Sequence, residues 1–565
     1  MSLYSSIRMA ANSLQANQIA MQVVGQNIAN ANTPGYLREE VVLTPAPTQR
    51  HGGLLLGLGV QVQAVIQQVD HFLESRLRGA TSDRAGSEVV EQTYAELEGI
   101  VNELGDADLS TSLNKFFASI AEILNQPEDA SIRNLAVLAG NQFAEQVRGV
   151  ARRVQSLRAG LNQRVCDMAA RINKLTEEIR SLNIKIAEAE GGDVSRSDAV
   201  GLRDQRMVAL ENLAKLIDIR VEQQPSGEVV VYSGGDFLVS EGIRREVEVV
   251  MDGDRGLAAA EIQLAETASP VMATSGELAG LVHARDNVLG GFLDQLDVFA
   301  RSLIFEFNKV FSGGQGLSGY DQLTSEFSVD AAGAALNQAG LEFTPASGSF
   351  QIMLYNRNTG LTKTTDIHVD LNGAGKETTL ADLAGQLDAI DGISAEVTAT
   401  RCLRITSDGS DQQIAFANDT SGVLAALGLN TFFSGFSARS INVTAALKAD
   451  PSKFAASRGG IAADTENAVE LADLADRGLG ERSGASIRSL YDRLTSDLAQ
   501  GSTIATSEAE GNRIFEETLR GQKLATSGVS LDEEAVKLMA YQHAFNASAR
   551  YVATLREMLD RLVDL

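Results

Sequence analysis

Two stretches at opposite ends of the chain share a seven-residue apolar period. Near the N-terminus Ile7, Leu14, Met21 and Ile28 recur at that interval, flanked by Leu3, Ala10 and Val24. Near the C-terminus Leu531, Leu538, Phe545, Val552 and Leu559 do the same, with Ala535, Ala549, Leu555 and Leu562 on the adjacent stripe. Such a repeat keeps one helix face turned toward a partner helix, so each end is predicted to be half of a coiled coil. Burial along a single seam falls short of the conformational entropy lost in ordering two long helices. Both ends are therefore expected to be poorly ordered in a free monomer and to become helical together when other subunits surround them. An ordinary pair of terminal helices on a globular core is the competing reading.

The first helix is predicted from about Leu3 to Ile28. It stops at a cluster of turn-formers: Asn27, Asn30, Asn32, Thr33, Pro34, Gly35 and Tyr36. Asparagine tolerates left-handed backbone, proline presets φ and glycine supplies a positive φ, so Thr33 to Tyr36 reads as a tight turn. Short strands follow at Glu40–Leu43 and Val60–Val65, separated by glycines. From Asp70 to Leu216 the period is mostly helical. Between Val147 and Ile186 apolar residues step by three and four without a proline, which predicts one helix roughly 60 Å long. Pro127 breaks the helix before it and Gly191-Gly192 ends it.

At Ile217 the period becomes two. Ile217, Ile219 and Val221 alternate, and Val229 and Val231 follow a turn, so a small β domain is predicted. Helix returns from Gly276 to Phe311. Between Gly319 and Ala446 the pattern is mixed, with strands near Phe350–Leu354, Ile367–Leu371, Ile393–Val397 and Leu403–Ile405 and helices near Thr378–Ile390 and Thr420–Leu427. Helix resumes from Asp464 toward the C-terminal repeat.

The fold class this implies is mixed and mainly α, a nested, discontinuous multidomain architecture. Residues 1–33 and 525–565 form a terminal helical coiled-coil domain. Residues 34–205, 275–318 and 447–524 form a long-helix body. Residues 206–274 form an inserted β domain and 319–446 an inserted α+β domain.

Composition narrows the function. At 565 residues the chain is too long for one core. A net charge of −26 opposes binding to nucleic acid and to anionic membrane surfaces, and makes free copies repel each other. The two cysteines, Cys166 and Cys402, lie far apart and lack metal-ligand spacing. The Leu54–Ile66 apolar run is too short to span a bilayer, so no membrane insertion is expected. Met1 to Ile28 lacks the continuous apolar core of a cleavable signal, so export without a cleaved signal peptide is expected.

The search for chemistry is empty. The five histidines are scattered, and no nucleophile elbow, P-loop or complete dinucleotide fingerprint is present. Asp370-Leu371-Asn372 with Gly375 begins like a calcium loop, but its twelfth position is Ala381 instead of glutamate. No catalytic residue, metal site or cofactor is assigned.

The run from Asn27 to Tyr36, followed by Arg38, is similar to the Asn-rich, Gly-Tyr signature of the axial proteins of the bacterial flagellum. Ser527 to Glu534 resembles the motif that opens the last helix in the hook-associated protein 1 family, and Gln542, Phe545, Asn546, Ala547, Ala549 and Arg550 fit the general axial pattern. The helical body, the Leu202–Arg206 segment and the β domain resemble the same family. The resemblance implies a structural subunit joining hook to filament, outside the cell, with the terminal helices as an inner tube and the inserts facing outward. It marks Ile7, Leu14, Met21, Ile28, Leu531, Leu538, Phe545, Val552 and Leu559 as subunit-packing residues, and Asn27, Asn30, Thr33, Pro34, Gly35 and Tyr36 as an axial-family motif. It also implies partners: identical copies in a ring, the hook protein, the second hook-filament junction protein and a cytoplasmic export chaperone. Another axial subunit, such as hook or distal rod protein, is the alternative. A secreted protein whose insert carries an enzymatic or glycan-binding module is a third reading.

Overall fold

The computed structural model describes residues 3–33, 35–51, 54–101, 108–191, 198–479 and 484–563. The fold is mixed and mainly α. The chain opens with α1 (Leu3–Asn30) and passes through β1 (Glu39–Pro45), β2 (Gln49–His51), β3 (Leu54–Leu56) and β4 (Val60–Gln67). β1 and β4 pair antiparallel with a bulge at Val42/Leu43, and β2 and β3 form a hairpin between them. Then come α2 (His71–Val101), α3 (Leu109–Ile123), α4 (Ala130–Glu190) and α5 (Val200–Leu216). The predicted long helix starts earlier than its apolar period suggested. α4 takes up just past Pro127 and runs for 61 residues, about 90 Å.

Strands β5 (Arg220–Gln223), β6 (Val229–Ser233), β7 (Asp236–Ser240) and β8 (Ile243–Arg244) make a four-stranded antiparallel sheet in sequential order. β9 (Val247–Asp254) and β10 (Leu257–Leu264) add a hairpin in unbroken register. α6 (Gly276–His283), a π-helical turn (Ala284–Leu289) and α7 (Gly290–Ser312) return the chain to helix. The next segment holds β11 (Gln322–Thr324), β12 (Gly348–Asn356), β13 (Thr362–Val369), α8 (Leu380–Asp388), β14 (Ile393–Val397), β15 (Leu403–Ser407), β16 (Gln412–Ala417) and α9 (Val423–Leu427). After it come β17 (Phe433–Ser434), β18 (Asn442–Val443), α10 (Ala445–Ala449), α11 (Glu466–Asp473), α12 (Ile487–Ser527) and α13 (Leu531–Val563).

These elements form two compact units. One comprises Met1–Thr93, Ala159–Arg285 and Thr503–Leu565, and the other Tyr94–Arg158 and Asp286–Ser502. In the first, one device fixes the β strands to α4 three times. Asn183 mimics a strand edge: its Nδ2 donates to Val229 O at 2.8 Å and its Oδ1 accepts from Val229 N at 3.2 Å. Asn173 does the same for Val247, at 2.7 and 3.0 Å. Asn162 donates to Ala258 O and accepts from Ala260 N, at 2.9 and 2.7 Å. Spacings of about three helical turns put the three amides on one face of α4. An arginine completes each: Arg206 donates to Asn183, Arg244 to Asn173 and Arg285 to Asn162. Burial lowers Arg206 to about 10, so its guanidinium stays charged at neutral pH. Every polar group in these contacts has a partner, as burial requires.

The second unit is held by aromatic packing. Phe116, Phe307, Phe432 and Phe433 meet with ring centroids 4.8 to 5.6 Å apart. Asn308 repeats the strand-edge contact here, donating to Phe433 O and accepting from the backbone of Phe432 and Phe433. Two three-stranded sheets, ordered β13-β12-β16 and β11-β15-β14, share an apolar core with α8 and α9. In the Asp370 loop the side chains turn onto their own backbone: Asn372 Oδ1 caps Ala374 N and Glu377 Oε1 caps Gly373 N.

Candidate assembly site at the paired ends of the chain

α1 and α13 pack side by side. The last turn of α1 meets the first turn of α13, which makes the pair antiparallel. The fully buried face of α1 is small: Ala10, Ala16, Ala20, Val23 and Val24. Ile7, Leu14, Met21 and Ile28 are only half-buried. On α13 the same contrast is stronger. Leu555 is buried, Leu538, Phe545, Val552 and Leu559 are half-buried, and Leu531 is exposed. Val536, Met539 and Met558 are more than half exposed, at 62%, 54% and 56%. The side chains of Leu3 and Leu562 lie outside the described residues.

This helix pair carries little net charge, and its charged side chains gather toward the two ends of α13. Arg8 is the single charged side chain of α1, and α13 has no acidic, lysine or arginine side chain between Lys537 and Arg550. In a chain of net charge −26, a helix pair whose charges nearly balance repels another copy less than the average of the chain does.

The base of the pair is polar and closely satisfied. Asn27, at 1% exposure, donates through Nδ2 to Glu39 O at 3.0 Å and accepts Glu39 N through Oδ1 at 3.0 Å. The same Nδ2 donates to Glu534 Oε2 at 2.9 Å. Tyr36 Oη donates to Asn27 Oδ1 at 2.8 Å. Arg38 reaches both acids that open α13, with 2.8 Å to Glu534 Oε1 and 2.9 Å to Glu533 Oε2, while its backbone N donates to Ser527 O. Burial opposes the Arg38 charge, but the hydrogen bonds to Glu534 and Glu533 outweigh it and hold the guanidinium above its ordinary value. Asp532, Glu533 and Glu534 at a helix N-terminus also meet the positive end of its dipole.

The turn between α1 and β1 explains its own sequence. Asn30 accepts from Thr33 through both its carbonyl and its Oδ1, and Thr33 O accepts from Tyr36 N. Gly35 has φ +80°, and a Cβ there would lie 2.5 Å from Val208 Cγ2. Only glycine meets both conditions. Pro34 lies outside the described residues. Below the turn, Asp204 on α5 accepts from Gln67 Nε2 at 2.6 Å. Burial pushes Asp204 up to about 7; the Leu37 backbone N–H opposes this and the Glu39 charge adds to it. Burial likewise raises Glu39 and Tyr36 above their ordinary values.

The structure thus brings Asn27, Gly35 and Tyr36 together with Glu39, Asp204 and Glu534. Asn30 and Thr33 act one step away, as turn formers. The local signal for Glu534 was its place in a run of three acids at a helix start; nothing in the sequence paired it with Asn27.

Three family models match the chain. The flagellar hook-associated protein FlgK helical domain matches residues 94–327. The flagella basal body rod protein model matches residues 7–36, α1 and its turn, and the flagellar basal body rod FlgEFG protein C-terminal model matches 520–565, covering α13. Flagellar hook-associated protein 1 of Bacillus subtilis is 24% identical over 580 residues, covering 100% of this chain and 98% of that protein. Its counterparts in Salmonella typhimurium and Escherichia coli are each 24% identical, covering 99% of this chain and 100% of theirs. The flagellar hook junction protein FlgK of Burkholderia pseudomallei superimposes with a TM-score of 0.52 at 14% identity, over 80% of this chain and 99% of that one.

Proposed function

This chain belongs to the flagellar hook-associated protein 1 family, structural proteins of the hook-filament junction, and from that premise we propose that copies of it close a ring through the α1–α13 pair. It resides in the flagellum and assembles with other flagellar components. Ile7, Leu14, Met21, Ile28, Leu538, Phe545, Val552 and Leu559 pack against neighbouring subunits, and Leu531 joins them. The contacts on either side are the hook protein and the second hook-filament junction protein. A cytoplasmic export chaperone covers α13 before the chain leaves the cell through the flagellar export apparatus. The role is structural and not enzymatic.

The observation that carries this reading is the partial exposure of the apolar side chains along α13, a helix whose acidic and basic residues nearly balance, on an otherwise strongly acidic chain. Water-exposed apolar area of this extent marks a protein contact. The test is removal of residues 531–565. The remaining chain is expected to fold and stay soluble but not to restore hook-filament joining in a strain lacking its own junction protein. Restored motility with the truncated chain would refute the proposal.

A further inference from the structure

The loop between β13 and α8 carries the one asparagine of this sequence that is followed by glycine, Asn372. The neck of the loop is tied twice: Thr378 N donates to Asp370 O at 2.8 Å, and Asp370 N donates to Thr378 Oγ1 at 2.9 Å. Leu371 is buried and its N–H donates to Ser347 Oγ at 2.8 Å, which anchors the chain just before Asn372. Above this neck Asn372 and Gly373 stand exposed. Asn372 Oδ1 accepts from Ala374 N at 2.7 Å, an Asx turn that folds the side-chain amide back onto the backbone that follows it. Gly373 N donates to Glu377 Oε1 at 2.8 Å. Lys376, the neighbour of Glu377 in sequence, is engaged by Asp382 instead. Gly373 has φ +77°, and a Cβ there would meet nothing nearer than Glu377 Oε1 at 4.0 Å, so no side chain crowds its nitrogen.

We propose that Asn372 is a self-modifying site: the Gly373 nitrogen attacks its side-chain amide, with Glu377 as general base, and the amide becomes a carboxylate. In the first step Gly373 N bonds to Asn372 Cγ and closes a succinimide ring, while the Gly373 proton passes to Glu377. The Cγ–Nδ2 bond then breaks, and the nitrogen takes that proton and leaves as ammonia. In the second step solvent water adds to either ring carbonyl and reopens the ring, giving aspartate or isoaspartate. Nothing is oxidised or reduced, and water is the one co-reactant. The Ala374 N–H that holds Oδ1 before reaction also stabilises the charge that grows on Oδ1 as the ring closes. Because the tied neck holds base, nucleophile and amide together beforehand, ring closure gives up little further freedom. The product places a new negative charge next to Asp370, whose Oδ1 already accepts from Asn372 N at 3.4 Å. The isoaspartate form also lengthens the backbone by a methylene. The inference stands apart from the assembly reading, since it requires neither a neighbouring copy nor the terminal helices.

The test is storage of the purified full-length chain at neutral pH in heavy-oxygen water, with peptide mapping by mass spectrometry over time. The peptide holding Asn372 is expected to convert to a mixture of aspartate and isoaspartate forms, each carrying one heavy oxygen, ahead of every other asparagine peptide. Glu377→Gln should slow the conversion about tenfold, less than an enclosed base contributes because water competes in an exposed loop. Glu377→Asp keeps a carboxylate on a shorter arm and should recover part of the rate. The chain held unfolded in urea, where the loop no longer places Glu377 on Gly373 N, should convert about tenfold more slowly than the folded chain. An Asn372 peptide that stays intact, or one that yields aspartate without isoaspartate, would overturn the proposal. A rate unchanged or raised in Glu377→Gln, or equal in the folded and unfolded chains, would overturn the role of Glu377.

Discussion

Asn27 Nδ2 donates to Glu534 Oε2 at 2.9 Å, joining side chains 507 residues apart. Both are essentially removed from water, and Arg38 bonds the other carboxylate oxygen. The first and last helices are therefore fastened to each other, and to Arg38 just before β1, through one carboxylate.

Removing that carboxylate strands two donors at once. Glu534→Ala should destabilise the helix pair by about 3 kcal/mol, because buried donors lose their acceptor. Asn27→Ala should cost a similar amount, since it also frees the Glu39 backbone. The double variant should lose less than the sum of the two, because the single changes break the same contact. Denaturation of the full chain followed by exchange at α1 and α13 measures this. Additive losses would show that the pair does not act as a unit.

Gly35→Ala meets two obstacles, a positive φ and a Cβ 2.5 Å from Val208 Cγ2. The expected cost is about 2 to 4 kcal/mol, the sum of left-handed strain and overpacking. Adding Val208→Ala should remove the overlap but leave the backbone strain, so about half the stability returns. Full recovery on that second change would mean the backbone conformation carries no cost.

Period is a statement about one chain's own residues, which is why some of this was legible and some was not. The heptads at Ile7–Ile28 and Leu531–Leu559 correctly indicate helices, and the step of three and four from Val147 to Ile186 indicates α4. The same period does not say what covers each position. On α1 Ala10, Ala16, Ala20, Val23 and Val24 take the fully buried face, while Ile7, Leu14, Met21 and Ile28 stay half covered. The β9–β10 hairpin was not foreseen, since Val247 to Asp254 is solvated over most of its length and does not alternate. β16 was missed because its run of buried residues reads equally as helix. The polar centre was hidden for another reason: Asn27, Glu39, Asp204 and Glu534 are ordinary surface residue types, and only tertiary contact buries them.

The asparagine contacts on α4 lead to a local prediction. Asn183→Ala leaves Val229 N and O and one Arg206 bond without their partner, all of them buried. The expected loss is about 3 kcal/mol. Exchange should rise through β6 and β7, whereas the Phe432 cluster should be unaffected. Loss of protection spread evenly over both regions would mean the contact is not a local fastening.

Phe545 and Leu555 share a helix but differ in what covers them. Leu555 is 6% exposed and Phe545 is half-buried. Leu555→Asp places a charge in an intramolecular contact, so the monomer should lose about 3 kcal/mol and melt earlier. Phe545→Asp leaves the charge with access to water in the monomer, so its melting temperature should change little. In a ring the same position would be closed off by a neighbouring subunit, and burying an unpaired carboxylate there costs several kcal/mol. Assembly onto hooks should therefore fail for Phe545→Asp although the monomer is folded. Equal loss of monomer stability at both positions would make Phe545 part of the chain's own core and remove it from the subunit contact.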